Sequence, residues 1–571
     1  MNNRFKNTSV WVPLALAVAL VGGMWIGKSF LNNSGKWDSK AKLETILGII
    51  DSNYVDDIDP DSLLEASLPG LLSRLDPHSV YIPAKDLQGV NEELVGSFSG
   101  IGISFNLLND TINVLEVISG GPSEKVGLLP GDRIVSINDT VVSGMGWSDV
   151  KVRSSLRGAK GTIVKLGIKR PTAKKLLSFD VTRGDIPVTS IDASYIISPG
   201  VGYIKINKFG ASTYSEFLNS MVALIAEGAE KFVIDLRGNG GGFMEPAVLM
   251  ANEFLPSGSP IVSMKGKTTR DDSPTLSDGS GSFRDVELVV LIDEISASAS
   301  EIFAGAIQDN DRGLVIGRRS FGKGLVQNQM ELPDSSALRL TIARYYTPSG
   351  RCIQKTYAPG TDYDRDIINR YEHGEFYNAD SIKLNKDLAF TTLHGRTVYG
   401  GGGIMPDVFV PNDTAGVTSY YINVLNAGLI QKYTFDYSDK NRQQLEAGKT
   451  VDEILRILPD DDMLLEDFVA YAKKNGVTPR WALINISRDL IVNSLKAMIA
   501  RNVLGVSGYF EVVNETDPTV IKAVEEITTG NASFPISAPE VKSENGNLSQ
   551  NRHHFNMGRR WIDFSIAMSV A

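Results

Sequence analysis

The sequence holds a single cysteine, Cys352, among its 571 residues. One thiol excludes an intramolecular disulfide and provides no cysteine cluster for zinc, so the folded state must be stabilised by packing. An apolar content of 42% is enough for real hydrophobic cores. No motif for a metal or a cofactor is found either, and we expect neither.

Basic residues are also in deficit. Lysine and arginine number 57 against 67 aspartates and glutamates, which gives a formal net charge of −10 at pH 7. A groove that binds nucleic acid would need a basic surface, so nucleic acid is not an expected partner.

Histidine is scarce. A Ser-His-Asp triad would need one histidine beside a serine, and none lies in a segment with an obvious catalytic context. The sequence leaves their spatial neighbours open, so a triad stays an alternative. The five histidines are His78, His373, His394, His553 and His554.

An uncharged apolar run of 17 residues extends over Val10–Ile26. Arg4 and Lys6 precede it, and Lys28 follows it. Such a run is either a signal sequence or a short membrane anchor, and we favour an uncleaved anchor because no A-x-A cleavage site follows. The positive charges before it direct the rest of the chain to the periplasmic or extracytoplasmic side of the inner membrane.

The segment VVLIDEISASASEIFAGAIQ combines a buried strand with a helix. Leu288–Ile292 is short, apolar and β-branched, and an amphipathic helix is expected from about Ala297 to Gln308. Ser298 therefore lies near a helix N-terminus, where unpaired backbone N–H groups could stabilise an oxyanion. The alternative is that Ser298, like Ser296 and Ser300, only caps the helix.

Lys323 lies between two glycines, and Gln327 follows four residues later. A spacing of four places both side chains on one face of a strand. A lysine can act as a base for serine only if burial lowers its pKa, and an amide can orient the amine without adding charge. This pattern predicts a Ser-Lys dyad with a glutamine positioner. Apolar neighbours are expected at Phe321, Leu325 and Ile302.

A phosphate-binding P-loop is a rival interpretation of the same glycines. Residues 317–323 fit G-x-x-x-x-G-K, but position 324 is glycine where a P-loop has serine or threonine. The residues that follow, LVQNQMEL, also look like a strand, whereas a P-loop lysine opens a helix. We therefore do not expect nucleotide binding.

SASASEI followed by FGKGLVQ resembles the active-site signature of the C-terminal processing peptidases, also called tail-specific proteases. The resemblance implies Ser298 as the nucleophile, Lys323 as the general base and Gln327 as its orienting partner. It also assigns the oxyanion hole to the D-L-R-x-N-x-G-G pattern at Asp235–Gly242. Gly241 is the expected donor there, with Gly242 as the alternative and the N–H of Ala299 as partner.

A second part of the resemblance is a PDZ domain. SGIGI is followed by GP-x-x-x-x-G-L-x-x-G-D-x-I between Phe98 and Val181. In PDZ domains a glycine-rich loop offers backbone N–H groups to a peptide's terminal carboxylate while the peptide adds a strand to the sheet. The resemblance places that loop at Ser99, Gly100, Ile101 and Gly102.

The expected fold is multidomain α/β, with a crotonase-like α/β catalytic core, a PDZ domain and helical N- and C-terminal regions. Residues 355–401 form a charged, tyrosine-rich segment longer than the family pattern, which could be a lid, an oligomer contact or decoration. The expected divisions are a signal sequence or anchor at 1–30, a helical region at 31–90, the PDZ domain at 91–185, the serine peptidase core at 186–412, an accessory helical region at 413–530 and a disordered tail at 531–571.

The predicted function is a serine endopeptidase that cleaves extracytoplasmic proteins near their C-termini. Its expected partners are unfolded or flexible C-terminal tails and the inner membrane, with a homodimer or an activating adaptor as further possibilities. A catalytically idle PDZ scaffold that only binds C-termini is the alternative.

Overall fold

The computed structural model describes residues 39–95, 97–108, 110–170, 173–268, 272–357, 362–363 and 365–533. Across these ranges no helix has the length and apolar character needed to cross a bilayer. The prediction of a single transmembrane anchor on the periplasmic side is corrected accordingly, and we assign no compartment. The stretch Val10–Ile26 and most of the predicted tail lie outside the described residues.

The N-terminal helical region contacts the catalytic core. Helix α2 begins where Asp59 accepts the backbone N–H groups of Asp61 and Ser62, with proline at the first helical position. Strand β1 then pairs with a strand of the core, so the turn before β1 is held against that core. The elements are α1 Ser39–Asn53, α2 Pro60–Leu72, β1 Val80–Ile82 and α3 Ala84–Val95.

The segment that resembles a PDZ domain folds around its own core, which includes Val114, Ile134, Val152 and Leu166. Its main sheet has the strand order β3-β4-β5-β7-β8, with β6 paired to β5, while β2 pairs with β9. The elements are β2 Ser97–Gly100, β3 Ile103–Leu108, β4 Thr111–Val117, α4 Pro122–Lys125, β5 Arg133–Ile137, β6 Thr140–Val141, α5 Asp149–Leu156, β7 Ile163–Lys169, β8 Leu177–Thr182 and β9 Gly184–Pro187.

The catalytic core is built on two sheets. The first has the order β10-β11-β12-β15-β16-β21, in which β21 is Val408–Phe409, and the second has the order β1-β18-β13-β14 with β17 paired to β18. The elements are β10 Ile191–Ser198, β11 Val201–Ile206, α6 Thr213–Ala226, β12 Lys231–Asp235, α7 Met244–Phe254, β13 Pro260–Gly266, β14 Ser273–Leu276, β15 Glu287–Ile292, α8 Ala299–Asp309, β16 Leu314–Gly317, β17 Leu325–Glu331 and β18 Ala337–Tyr346.

Strands β11, β12, β15 and β16 run parallel. Parallel strands end at the same edge of a sheet, and loops at that edge form the functional crevice of open α/β sheets. The glycine turn after β12, the serine loop after β15 and the lysine loop after β16 all leave this edge. The sheet therefore brings three distant sequence motifs together.

The strand β15 confirms the predicted burial on both faces. Leu288 and Val290 contribute to one core with helices α6, α7 and α8. Val289 and Leu291 contribute to a second core on the opposite face. Because both faces of β15 are buried, the sequence shows a continuous apolar run here and not an alternation of apolar and polar residues.

The segment after β18 contains short elements and returns to the first sheet. Strand β21 pairs with β16 in parallel, and β19 pairs with β20. The elements are α9 Asp366–Glu372, β19 Ala389–Thr391, β20 Thr397–Tyr399 and β21 Val408–Phe409, with short 3₁₀ turns at Ala379–Ser381 and Lys386–Leu388.

The C-terminal region is helical, as predicted. It has its own core, which includes Val424, Phe468 and Leu495, and α16 is kinked at Gly505, where φ is 76°. The elements are α10 Ser419–Asn426, α11 Leu429–Lys440, α12 Arg442–Leu445, α13 Val451–Ile457, α14 Asp461–Lys474, α15 Trp481–Ile486, α16 Arg488–Asn514 and α17 Pro518–Thr528.

The last helix is not an accessory to the catalytic core. Buried residues Val520 and Ile527 of α17 pack in one cluster with Val233 and Val289 of the parallel sheet. The sheet would otherwise expose one apolar face, because α6, α7 and α8 cover the opposite one. Helix α17 therefore completes the core that carries the candidate site.

This packing predicts a contrast between two isoleucines of α17. Ile527 is fully buried, whereas Ile521 is 50% exposed. Ile527→Ala should lower the free energy of unfolding by about 2–5 kcal/mol because it leaves a cavity against the sheet. Ile521→Ala should change it by no more than about 0.5 kcal/mol. Urea denaturation of the two variants measures the difference, and equal values would contradict the packing of α17.

Candidate active site

Ser298 lies between β15 and α8 as the residue that caps the helix N-terminus. Its φ of 56° and ψ of −113° are unusual for a residue with a side chain, and such conformations cost on the order of 1–3 kcal/mol unless surrounding contacts hold them. Ala299 is the first residue of α8, so its N–H has no partner in a preceding helical turn. The serine side chain is half-buried.

The two neighbouring serines have structural roles. The hydroxyl of Ser296 donates to the carbonyl of Leu236 at 2.9 Å. The hydroxyl of Ser300 donates to the carbonyl of Asn239 at 2.9 Å. Both side chains are fully buried, so Ser298 is the serine of this group that solvent or a substrate can reach.

A buried carboxylate, Glu301, holds the serine loop and the lysine loop together. One of its oxygens accepts the backbone N–H groups of Ser298 and Lys323, each at 2.9 Å. The other accepts the N–H of Gly322 at 2.8 Å and the hydroxyl of Ser320. Burial raises the pKa of Glu301, and these four donors oppose that rise. This residue is not among those predicted from the sequence.

Tyr345 makes a second link between the same two loops. Its hydroxyl oxygen lies 2.7 Å from the carbonyl oxygen of Lys323 and 3.2 Å from that of Ser298. The side chain is fully buried. The N–H groups of the two candidate catalytic residues thus share Glu301 as their acceptor, and their carbonyl groups share Tyr345 as their donor.

Lys323 and Gln327 meet as predicted from their spacing. The Nζ of Lys323 donates to the Oε1 of Gln327 at 3.1 Å. Burial lowers the pKa of Lys323, the positive charge of Arg339 lowers it further, and the negative charges of Glu301 and Asp76 oppose both effects. The environment therefore favours the neutral amine that a general base requires.

One of the expected neighbours of Lys323 has another partner. Leu325 and Ile302 are buried. The ring of Phe321, however, lies 3.7 Å from the Nζ of a second lysine, Lys355. Since a cation above an aromatic face is a favourable contact, the aromatic residue of the FGKG motif also binds Lys355.

Gly241 lies directly against the nucleophile loop. A Cβ on Gly241 would lie 2.8 Å from the Cβ of Ser298 and 2.7 Å from the carbonyl oxygen of Ala297, and its φ is +99°. Glycine is therefore required on both steric and conformational grounds. In this conformation the N–H of Gly241 donates to the Oδ1 of Asn239 at 2.9 Å, so it can serve an oxyanion only after Asn239 releases it.

Asn239 is itself part of the contact between the glycine turn and the serine loop. Its carbonyl accepts the N–H of Ala297 at 3.0 Å as well as the hydroxyl of Ser300. Its side-chain amide also donates to the carbonyl of Ile206 at 3.1 Å. The glycine turn is thus fixed to the serine loop by backbone and side-chain contacts together.

The start of the glycine turn is held by buried charges. Asp235 is fully buried and pairs with Lys205 at 3.2 Å and with Arg237 at 2.7 Å. Burial alone would raise the pKa of Asp235, but Arg237 and Lys205 hold it well below its ordinary value. Arg237 also pairs with Asp517 at the N-terminus of α17, which connects the turn to the C-terminal region.

The long segment at residues 355–401 has a structural role that the sequence left open. Arg370 donates to the carbonyl of Ser320 at 3.0 Å and to that of Arg319 at 2.6 Å. Glu375 accepts from Arg370 at 2.8 Å and from Arg319 at 2.7 Å. These groups clamp the loop that leads to Lys323.

The predicted carboxylate loop of the PDZ segment is partly a strand. Ser99 and Gly100 belong to β2 and pair with Asp185 and Gly184 of β9. This partner strand was not apparent from the sequence, so the expectation that Ser99 and Gly100 lie in a free loop is corrected. Ile101 and Gly102 remain in the loop before β3.

A groove of about 300 Å³ opens beside this loop. Gly100, Ile101 and Gly102 line it on one side, and Arg153 and Arg157 line it from α5 and its C-terminus. The backbone of the loop and two guanidinium groups thus surround a single concave surface.

A PDZ segment followed by an α/β core, with a reachable serine at a helix N-terminus and a partly buried lysine, is the arrangement predicted for a serine-type peptidase. A model of peptidase family S41 matches residues 200–367, and a PDZ domain model matches residues 99–182. A family of unknown function (DUF8443) matches residues 420–505.

Curated relatives agree with these matches. A probable CtpA-like serine protease of Staphylococcus aureus (strain bovine RF122 / ET3-1) is 35% identical over 346 residues, which cover 60% of this chain and 68% of the relative. The protein of the same description from Staphylococcus epidermidis is 32% identical over 327 residues, which cover 57% of this chain and 65% of the relative. The chain belongs to the CtpA-like serine proteases of peptidase family S41, which confirms the predicted family.

The match does not extend over the full length of these relatives. For the protein of Staphylococcus aureus strain N315, 35% identity over 314 residues covers 55% of this chain and 62% of the relative. The aligned part thus spans less than two thirds of that protein.

Solved structures give weaker likenesses. The photosystem II D1 C-terminal processing protease is 25% identical, covering 66% of this chain and 96% of its own, with a TM-score of 0.32. The PDZ domain of a carboxy-terminal protease from Vibrio cholerae, solved with a peptide, is 28% identical. The match covers 16% of this chain and 97% of that domain, with a TM-score of 0.15. Both TM-scores are low, so family membership rests on the sequence matches.

The lowered pKa of Lys323 predicts how peptidase activity depends on pH. Only the neutral amine can accept a proton, so kcat/KM should rise with pH and reach half its maximum below the ordinary lysine value of 10.5. Lys323→Arg should lower kcat/KM by at least about 10²-fold because guanidinium keeps its proton. A pH–rate profile measures both effects.

Lys355 provides a matched control for this prediction. It is a second buried lysine whose pKa burial lowers, and its Nζ pairs with Asp366 at 3.2 Å. Lys355→Arg keeps the positive charge and the aromatic contact, so it should leave the midpoint of the pH profile unchanged. A midpoint that disappears in Lys355→Arg and persists in Lys323→Arg would contradict the choice of Lys323.

Proposed function

We propose that the protein is a serine endopeptidase that cleaves protein substrates near their C-termini, with Ser298 as the nucleophile and Lys323 as the general base. The observation that carries this proposal is the carboxylate of Glu301, which accepts the backbone N–H groups of both residues. Two loops that are distant in sequence are thereby kept next to each other. The lowered pKa of Lys323 supports the role of base.

The proposed reaction begins with the neutral Nζ of Lys323. It accepts the proton of the Ser298 hydroxyl while the serine oxygen forms a bond to the carbonyl carbon of the scissile peptide. The carbonyl π bond breaks, and its electron pair becomes the oxyanion. The ammonium of Lys323 then returns its proton to the leaving nitrogen as the C–N bond breaks, and water hydrolyses the acyl-enzyme by the same steps.

The oxyanion would be stabilised at the N-terminus of α8. The N–H of Ala299 is one donor, and Gly241 is the second, with Gly242 as the alternative. Because the N–H of Gly241 donates to Asn239 in this conformation, we propose that substrate binding moves the side chain of Asn239 away. This shift would complete the oxyanion hole only when a substrate is present.

Substrate selection is assigned to the groove of the PDZ segment. Gly100, Ile101 and Gly102 line this groove together with Arg153 and Arg157. A glycine-containing loop beside two guanidinium groups, each of which also pairs with a carboxylate, suits the terminal carboxylate of a peptide. We propose that flexible C-terminal tails of protein substrates bind there before cleavage.

We also propose that the chain forms a homodimer through its first described helix. Helix α1 has no buried residue along its described length, and it exposes Leu43, Ile46 and Ile49 at 44–56%. Spacings of three place these apolar side chains on one face of the helix. Such a face suits a second copy of the same helix.

Mass spectrometry of an unfolded protein with an apolar C-terminus tests the function directly. The wild-type chain should release defined fragments near that C-terminus, and Ser298→Ala should release none, since loss of a nucleophile costs on the order of 10⁶ in rate. Amidation of the substrate's C-terminus should slow cleavage, because it removes the carboxylate that the groove would bind.

The same experiment separates the proposal from its alternative. Ser298→Ala should still bind the free-acid peptide, because the groove is distant in sequence from the serine. Binding by the wild type without any cleavage would indicate an idle PDZ scaffold. Cleavage by Ser298→Ala at the wild-type rate would overturn the choice of nucleophile.

A further inference from the structure

Gln327 is held by a residue from the N-terminal helical region. Its Nε2 donates to the backbone carbonyl of His78, which lies 249 residues earlier in the chain. A glutamine amide has a donor end and an acceptor end. A carbonyl can only accept, so His78 fixes the NH₂ group on its own side and leaves Oε1 to face Lys323.

The orientation of this amide matters for the lysine. The Nζ of Lys323 donates to Oε1 of Gln327 at 3.1 Å. If the amide were reversed, its NH₂ group would face the amine, and a hydrogen bond there would occupy the lone pair that a base needs. The carbonyl of His78 therefore selects the useful orientation.

A single carboxylate shapes the turn that presents this carbonyl. Asp76 accepts the N–H groups of His78 and Ser79, both at 2.8 Å, and the hydroxyl of Ser79 at 2.6 Å. Its side chain is almost fully buried. Burial would raise the pKa of Asp76, but these hydrogen bonds outweigh it and lower the pKa.

The turn is fastened to the strand pair that carries Gln327. The hydroxyl of Thr341 donates to Asp76 at 3.1 Å, and the N–H of Thr341 donates to the Oγ of Ser79 at 3.1 Å. In the β17–β18 ladder, Thr341 is the cross-strand partner of Gln327. The turn is thus attached to the sheet at the residue that lies opposite Gln327.

We propose that the turn Asp76–Ser79 is a positioning element for the general base, acting through the amide of Gln327. This inference rests on the proposed function, in which Lys323 is that base. It gives the N-terminal helical region a specific part in catalysis, since the turn that orients Gln327 belongs to that region.

Charged and titratable groups from several elements surround the amine of Lys323. Arg339 of β18 disfavours the ammonium, while Glu301 of α8 and Asp76 of the turn favour it. The imidazole of His78 faces the hydroxyl of Tyr363 at 2.8 Å. Removing the charge of Asp76 while keeping its shape should therefore make Lys323 easier to deprotonate.

A double-mutant cycle tests whether Asp76 acts through Gln327. Asp76→Ala and Gln327→Ala should each lower kcat by about 10- to 100-fold with KM unchanged, as expected for a misplaced catalytic group. The double variant should be no slower than Gln327→Ala alone, because both changes remove the same orientation. Losses that multiply in the double variant would overturn the proposal while leaving the Ser298-dependent function intact.

Asp59 is the matched control for Asp76. It accepts the N–H groups of Asp61 and Ser62 and the hydroxyl of Ser62, but it caps α2 and is not attached to β18. Asp59→Ala should leave kcat unchanged. An equal loss of kcat in Asp59→Ala would show that the effect of Asp76→Ala is general destabilisation of the N-terminal region, which would contradict positioning.

Lysine ¹³Cε NMR gives a readout that needs no catalysis. In the Ser298→Ala protein, Asp76→Asn should lower the pKa of Lys323, whereas Asp59→Asn should not change it. An unchanged pKa in Asp76→Asn would contradict the placement of the turn beside the amine. Failure of the wild type to cleave would contradict the proposed function instead, and the NMR titration would still test whether the turn lies beside the amine.

Discussion

The carboxylate of Glu301 is the interaction on which the candidate site depends. A fully buried carboxylate is costly unless donors surround it, and here four donors from two loops do so. The N–H groups of Ser298 and Lys323 bind the same oxygen, so neither loop can shift without leaving a buried charge underbonded. This constraint also explains how the unusual backbone of Ser298 is retained.

Segments outside the α/β sheet support the same site from different sides. The turn at Asp76 orients the amide of Gln327, and Arg370 clamps the loop before Lys323. Asp517 holds Arg237 at the start of the glycine turn. The N-terminal region, the segment 355–401 and the C-terminal helices therefore all bear on the geometry of a few loops at one sheet edge.

The sequence was sufficient to predict the local elements of the site. It was insufficient to predict which residues contact one another across the fold. A continuous apolar run rich in β-branched residues predicted β15, small residues predicted the start of α8, and a spacing of four predicted the contact of Lys323 with Gln327. Ser298 and Glu301 fit the S-x-x-E capping box, which could have predicted the bond from the N–H of Ser298, but the other three donors depend on tertiary structure. For the same reason the sequence did not show that Phe321 contacts Lys355, placed Ser99 in a loop, and treated α17 as accessory.

The substitution Glu301→Gln tests the central claim most directly. It keeps the shape of the side chain but replaces an oxygen that accepts two donors with an NH₂ group that accepts none. We expect kcat/KM to fall by about 10²-fold or more and the free energy of unfolding to fall by about 1–3 kcal/mol per donor left unpaired. Glu245→Gln, an exposed change in the first turn of α7, should alter neither. Wild-type kcat/KM in Glu301→Gln would contradict the view that this carboxylate holds the nucleophile and the base together.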